Sequence, residues 1–362
     1  MGIIYKIKKG VKMKKRIKNL KHTPLFVAML AIRTCWQSNG KSDTVYHCPE
    51  CNEECISSVL EDNKLYCQHC DATFSPRQTF SKIGNKDKEL IYRISRKYKH
   101  TSTIEHITVS FYTNMRDILR FFRENPFSKV LDDKYVYTNL RVLIENMNNP
   151  SVTKVISSKE FQNSELSFLF KDDFNIEKEF TCGTPLSQKN TDMSVELLNV
   201  FYDHKETAFK YSFLIQNISR AVLQELARHR VANLSVKSTR YTLKELKNET
   251  NNLLTATNET FLKEIAKRYI VFTGNETIDN ILIEQLKNLK RAIDTGVSND
   301  IAKYALPECY KTELVWSIDR EGLANFINLR TSKSALWEIR DLANIIKSLS
   351  EKHLSLTQIS SI

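Results

Sequence analysis

Glycine is scarce, eight among 362 residues, and no Gly-x-Gly-x-x-Gly run occurs. That excludes a dinucleotide-binding unit of the Rossmann kind, where those glycines let backbone approach a pyrophosphate. Long apolar runs are missing too. The longest near the start, Pro24 to Ile32, is far shorter than the roughly 20 residues a bilayer-spanning helix needs. Residues 1–22 lack the apolar core of a signal peptide. No membrane association is therefore expected, and the cytoplasm is the expected compartment. No internal repeat is evident, which sets aside solenoids and propellers. Acids are absent from residues 1–22, where nine Lys or Arg stand, so the net charge of +12 falls to +3 over the other 340 residues. The basicity is mainly a tail, and composition does not demand a nucleic-acid-binding face.

What is present is a dense cluster of cations and hydroxyls. Residues 228 to 241 read Arg-His-Arg-Val-Ala-Asn-Leu-Ser-Val-Lys-Ser-Thr-Arg-Tyr. Guanidinium forks bind phosphate or an anionic heterocycle bidentately and stay charged at every relevant pH. Consecutive helical positions do not share a face, so Arg228, His229 and Arg230 point in different directions and can serve two ligands at once. Arg-His-Arg alone would read as a solvated surface helix. Its surroundings reverse that reading.

Eight cysteines stand at 35, 48, 51, 55, 67, 70, 182 and 309. Four form Cys48-x2-Cys51 and Cys67-x2-Cys70, with fifteen residues between the pairs, a spacing that fits one tetrahedral zinc ion. With no secretory signal, metal is favoured over disulfides. Cys55, His47 and His69 are the substitutes if a ligand is displaced. This ribbon, about 44–80, carries Glu50, Glu53, Glu54, Glu61, Asp62 and Asp71. Their charge repels nucleic-acid phosphate, and a structural role is expected.

The cation cluster resembles the signature of flavin-dependent thymidylate synthases, which methylate dUMP without a cysteine nucleophile. Other segments resemble that family's blocks, in the same order. They are Leu-Ala-Ile-Arg-Thr-Cys at 30–35, His-Thr-Ser-Thr-Ile-Glu-His at 100–106 and the helix-like run from Ile218 to Leu226. Ala-Lys-Tyr-Ala-Leu-Pro at 302–307 and Asn328 to Arg340 complete the series. The matching parts cover roughly 23–43, 83–111 and 209–350.

The resemblance implies an α+β fold, a small antiparallel sheet flanked by helices, assembled as a homotetramer with sites between subunits. It implies reductive methylation of dUMP to dTMP, with methylenetetrahydrofolate as carbon donor and NADPH-reduced FAD as hydride source. Carried over position by position, Arg228, His229 and Arg230 hold FAD, with His100, Ser102 and Asn325 also on the cofactor. Ser238, Thr239 and Arg240 form the dUMP loop, joined by Glu225 and Lys303. Arg330 faces the uracil and favours its ionised form, as a fixed cation beside developing negative charge would. Ser238 has no adjacent base, so its implied role is binding and not attack. Glu225 stands where the family often has glutamine, Lys303 where arginine is frequent, Val236 where an acid or amide is frequent, and Asp319 where asparagine occurs. Lys303 keeps the charge but loses the bidentate fork.

The expected organisation is a basic tail (1–22), the start of a synthase core (23–43), the zinc-ribbon-like insertion (44–80), more core (81–111), a second insertion of unknown role (112–208) and the rest of the core (209–362). Tyr211, Phe213 and Ile215 alternate as in a half-buried strand, and so do Val109 and Phe111. Ser157 to Met193 reads as loops, with a turn at Cys182 to Pro185. Asp319 is expected to cap a helix, and Leu336, Ile339, Leu342, Ile345 and Leu349 to stripe the last one. The competing reading is a catalytically inactive homologue, a zinc-containing protein that binds nucleic acid or another partner through Lys6 to Lys21 and the ribbon.

Overall fold

A computed structural model describes residues 16–171 and 192–353, except 37, 39–40, 57–59, 62–63, 68, 75–79, 99, 251 and 352, with backbone alone at 56, 60–61, 64–66, 80–82 and 240–242. The chain divides into two compact units, one of residues 1–22 and 109–171 and the other of 23–108 and 172–362.

The larger unit is built on an antiparallel sheet of β1 (Ser194–Tyr202), β2 (Ala208–Ser219), β3 (Ala232–Val236) and β4 (Lys311–Asp319), in the order β1-β2-β4-β3. Its helices include α1 (Phe26–Cys35), α2 (Asn85–Tyr92), α3 (Arg220–Ala227), α4 (Thr239–Asn248), α5 (Glu259–Ala266), α6 (Glu276–Asp294), α7 (Arg320–Arg330) and α8 (Trp337–Ser350). Side chains alternate between the faces of a strand, so Tyr211, Phe213, Ile215, Trp316 and Ile318 share a core with Val222 and Leu226 of α3, Phe326 of α7 and Leu342 of α8. Trp316 and Phe326 meet edge to face with ring centroids 5.0 Å apart, worth about 0.5–1.5 kcal/mol beyond their burial. The opposite face carries Ser212, Ser235 and Ser317, and α1, buried from Phe26 to Thr34, packs on β3 and β4.

Local capping fixes where these helices start. The Asp319 carboxylate accepts the Gly322 N–H at 2.8 Å and opens α7, as its sequence position led us to expect. Ser219 opens α3 by accepting the Val222 N–H at 3.2 Å. Ser219 is held in turn by Glu338 of α8, which accepts its N–H at 2.7 Å and its hydroxyl at 2.6 Å. The stripe expected on α8 is displaced: Ile339, Leu342, Ala343 and Ile346 are buried, while Leu336 and Ile345 face solvent. Leu336 precedes the first turn and so cannot follow the helical stripe.

Division into units also departs from the expected boundaries. Ser194–Tyr202 lies in the sheet of the larger unit, paired along its length with β2, rather than in an insertion reaching to 208. Ile17–His22, expected as tail, is a strand of the smaller unit, paired with Thr108–Thr113. That unit's sheet adds Tyr135–Asn139 and Lys129–Leu131, beside helices Arg116–Glu124, Leu140–Glu145 and Pro150–Ile156. The expected loop at Ser157 to Met193 contains a helix at Lys159–Gln162 and a 3-10 turn at Glu165–Phe170. The turn at Cys182 to Pro185 lies outside the described residues. No helix among the described residues is long and apolar enough to cross a membrane.

The ribbon is two small sheets. One pairs Val45–His47 with Glu54–Ile56 and Phe80–Lys82, and the other pairs Lys64–Tyr66 with Leu60–Glu61 and Thr73–Phe74. Glu50, Glu53, Glu54 and Asp71 are exposed.

Candidate active site and cysteine cluster

The end of α3 brings together four of the residues singled out from sequence. Arg330, the last residue of α7, donates from Nη1 to Glu225 Oε2 at 2.6 Å and from Nε to His229 Nε2 at 3.2 Å. Glu225 Oε1 accepts from Arg228 Nη1 at 3.0 Å, so one carboxylate joins both arginines. His229 is buried and sets its ring edge-on to Phe326 at 5.1 Å. Burial, reinforced by the Arg330 charge, pushes the His229 pKa below its ordinary value, against a smaller pull from Glu225. A neutral imidazole that accepts at Nε2 carries its proton on Nδ1. Arg228 and Arg230 are exposed, and Arg230 makes no ion pair among the described residues. Asn325 is exposed on α7, beside the buried Phe326.

A second group gathers at the end of α1. The Ser238 N–H donates to the Cys35 carbonyl at 3.1 Å, which ties the start of α4 to α1. The next residue, Trp36, meets the His100 ring edge-on at 5.4 Å, and His100 Nδ1 lies 3.2 Å from the Ser102 hydroxyl. Thr239 is half-buried in the first turn of α4, and Arg240 follows it there, its side chain outside the described atoms. Lys303 is exposed, its ammonium 5.6 Å from the centre of the Tyr304 ring. Lys303 begins a turn that packs on α4.

These two groups sit at opposite ends of β3. The tripeptide 228–230 precedes the strand and Ser238 follows it. At ~3.3 Å per extended residue, Ala232 and Val236 alone are about 13 Å apart. The carbonyl and amide pairing of β3 with β4, from Ala232↔Ile318 to Val236↔Leu314, keeps the strand extended. Within one chain, therefore, the Arg228–Arg230 segment and the Ser238–Arg240 segment are held at opposite ends of β3.

Several polar partners were not legible in sequence. His106 is wholly buried between Ser317, 2.7 Å from Nδ1, and Ser235, 2.9 Å from Nε2. Burial, with a contribution from Lys210, pushes its pKa down to about 3. Asn233 links Glu105, 2.7 Å from its amide nitrogen, to the Lys210 ammonium, 2.7 Å from its oxygen. Arg33 lies buried on Asp87, whose other oxygen accepts the hydroxyls of Ser42 and Thr44. Nothing local in the sequence marks these long-range pairs. Burial pushes the Cys35 thiol up to about 11 and the Cys309 thiol up to about 12, so neither is a thiolate nucleophile at neutral pH.

The four paired cysteines converge. Sγ atoms of Cys48, Cys51, Cys67 and Cys70 all lie within 4.8 Å of one another. Cys48 faces Cys70 and Cys51 faces Cys67, each at 3.6 Å. Cys55 lies outside that set of four but hydrogen-bonds through its thiol to Cys67 as well as to the Glu53 carbonyl, and His47 Nδ1 lies 3.3 Å from the Asn52 carbonyl.

The sequence has clear relatives. Residues 184–354 match the family model described as thymidylate synthase complementing protein. A flavin-dependent thymidylate synthase of Wolinella succinogenes is 54% identical over 147 residues, which span 40% of this chain and 68% of the relative. One from Helicobacter pylori strain J99 is 44% identical over 161 residues, 44% of this chain and 76% of the relative. A crystal structure of the Helicobacter pylori enzyme with FAD and dUMP aligns over 92% of each chain at 26% identity and a TM-score of 0.37, too loose a superposition to bear on the fold. By the extent and identity of the sequence matches, the chain belongs to the flavin-dependent thymidylate synthase family.

Proposed function

We propose that the protein converts dUMP to dTMP, taking the carbon from methylenetetrahydrofolate and the reducing hydride from NADPH by way of FAD. The donor set at the end of α3 suits that cofactor: two exposed guanidiniums for its pyrophosphate, and a buried neutral imidazole against the ring of Phe326. FAD, when bound, supplies the hydride chemistry.

In this reading the chain's own residues bind and polarise. Arg228 and Arg230 hold the cofactor's phosphates, with His229, Asn325, His100 and Ser102 on the same molecule. Ser238 and Thr239, at the start of α4, bind the dUMP phosphate together with Arg240 and Lys303. Phosphate at a helix N-terminus is favoured by the unpaired amides there. Arg330 lies against the uracil and stabilises negative charge as the pyrimidine is activated. Glu225 fixes the Arg330 fork, and His229 fixes its Nε.

The separation by β3 of the Ser238–Arg240 segment from the cluster that holds Arg330 supports a homotetramer, in which one subunit's Ser238–Arg240 segment meets another's Arg330. A single observation carries the reading: Arg330 and His229 share one hydrogen-bonded cluster with Glu225 and Arg228. The test is dTMP formation by purified protein given FAD, NADPH and methylenetetrahydrofolate, with each omitted in turn. Product that requires all three is expected, and a folded protein that makes none would overturn the reading.

A further inference from the structure

We propose that Cys48, Cys51, Cys67 and Cys70 bind one zinc ion as a tetrahedral tetrathiolate, and that this ion ties the ribbon's two hairpins together. Two independent observations support it: the sulfur geometry and a repeated backbone knuckle.

A tetrahedral ion with Zn–S bonds of ~2.3 Å sets its sulfurs about 3.8 Å apart. The two close pairs here are 3.6 Å apart, and all four sulfurs lie within 4.8 Å. A disulfide would need ~2.05 Å, and each cysteine faces one in the other knuckle rather than its Cys-x2-Cys mate. The sulfurs are already arranged around a point.

The two knuckles repeat one another in backbone detail. In the first, the Cys48 carbonyl accepts the Asn52 N–H at 2.9 Å and the Cys48 N–H donates to the Glu53 carbonyl at 2.9 Å. In the second, Cys67 does the same with Asp71 at 3.0 Å and Ala72 at 2.8 Å. Each first sulfur accepts a backbone N–H two residues on, Glu50 onto Cys48 and His69 onto Cys67, both at 3.4 Å. Asn52 and Asp71, the residues after each second cysteine, both have φ near 60°. That left-handed conformation is tolerated by Asn and Asp among the non-glycine residues. Amide donors aimed at sulfur favour the thiolate form that a metal needs. Two copies of a strained turn, each ending a hairpin with its sulfurs inward, are accounted for by a shared ion.

Among the described side chains of the ribbon, Tyr46 and Phe74 pack with Cys48, Cys51, Cys55, Cys67 and Ala72. Units of a few tens of residues seldom bury enough apolar surface to offset the ordering of their backbone and usually require a metal or disulfides. Binding energy of a structural zinc is folding energy for the segment that holds it.

The test uses the full-length protein. Metal analysis after gel filtration is expected to find one zinc per chain, falling at least fivefold in Cys67→Ser, with Cys35→Ser keeping its full complement. Chelation is expected to speed backbone hydrogen exchange at least tenfold across 45–74 and to leave β2 unchanged. If Cys67→Ser fails to fold, the wild-type protein still decides: cobalt substitution should give the spectrum of a tetrahedral tetrathiolate. A wild-type chain with four freely titratable thiols and no metal would overturn the proposal. So would stoichiometric iron, or full zinc in Cys67→Ser.

Discussion

Arg330 Nη1 lies 2.6 Å from Glu225 Oε2, so the cation assigned to the uracil is paired with a carboxylate on the helix that delivers the Arg-His-Arg segment. Glu225 also contacts Arg228 at 3.0 Å. One acid therefore connects the arginine assigned to the cofactor with the arginine assigned to the substrate. A guanidinium gripped in this way is pre-oriented, and the same pairing moderates its charge.

Removing that cation should stop the chemistry while sparing cofactor binding. Arg330→Ala is expected to lower kcat for dTMP formation by ~100-fold or more, the usual effect of losing a preorganised charge stabiliser, with bound FAD still seen by absorbance. Glu225→Gln keeps the side chain's length and one acceptor for the Arg330 fork; its turnover should stay within about tenfold of wild type. Near-normal turnover in Arg330→Ala would remove Arg330 from the role given to it.

His106 should make the fold sensitive to acid. Its pKa is pushed down to about 3 by burial, against ~6.5 in an unfolded chain. Between those values the unfolded chain takes up a proton that the folded one refuses, so stability falls as pH drops from about 6.5 toward 3. The loss reaches about 2 kcal/mol at pH 5, at ~1.36 kcal/mol per unit. His106→Gln keeps polar atoms near Ser235 and Ser317 without the titration. Urea unfolding at pH 7 and pH 5 should show a smaller pH effect in the variant, and an equal effect would exclude His106 as its source.

How far the sequence reaches is clear from particular residues. Asp319 as a helix cap and Tyr211, Phe213 and Ile215 as one face of a strand are legible because both signals are local, a capping side chain and an alternating run. The convergence of the four cysteines followed from their spacing. Ser194–Tyr202 was assigned to an insertion because its partner, β2, becomes visible only once the hairpin at 203–207 is formed. Asp87 gave no sign of its ion pair with Arg33, since 54 residues separate them. Arg330, His229 and Glu225 were each named, but their hydrogen-bonded grouping depends on how α7 packs against α3, which motif spacing does not encode.

The Arg33–Asp87 pair should be structurally demanding. Asp87 has no exposed surface, accepts from Arg33 Nε at 2.9 Å and takes the hydroxyls of Ser42 and Thr44 on its second oxygen. Asp87→Ala would leave a buried guanidinium without its counter-charge, which costs about 3–5 kcal/mol. At Gly84, which opens the same helix, an added Cβ would fall 2.3 Å from the Asp43 carbonyl oxygen, and Asp43 is the carboxylate that accepts the Lys86 and Asp87 amides. Gly84→Ala should therefore destabilise as well, by about 1–3 kcal/mol. Chemical denaturation checks both, and a change under about 0.5 kcal/mol in Asp87→Ala, the size of an ordinary surface substitution, would rule out the pair as a structural anchor.

Mixing two inactive variants tests where the site is completed. Arg330 closes the cluster before β3, and Arg240 follows the strand's other end in the first turn of α4. If one subunit supplies Arg330 and another supplies Arg240, Arg330→Ala and Arg240→Ala chains should each be inactive alone. Co-expressed in equal amounts, they should recover activity, because random assembly gives about one two-chain site in four with both native halves. The recovered rate is then expected near a quarter of wild type, measured as dTMP formed per chain after confirming that mixed oligomers form. A site completed within one chain has no such route: every chain in the mixture lacks one arginine, and activity stays at the level of the separate variants. Persistently inactive mixed oligomers would therefore refute a site shared in this way, whatever the oligomer's size.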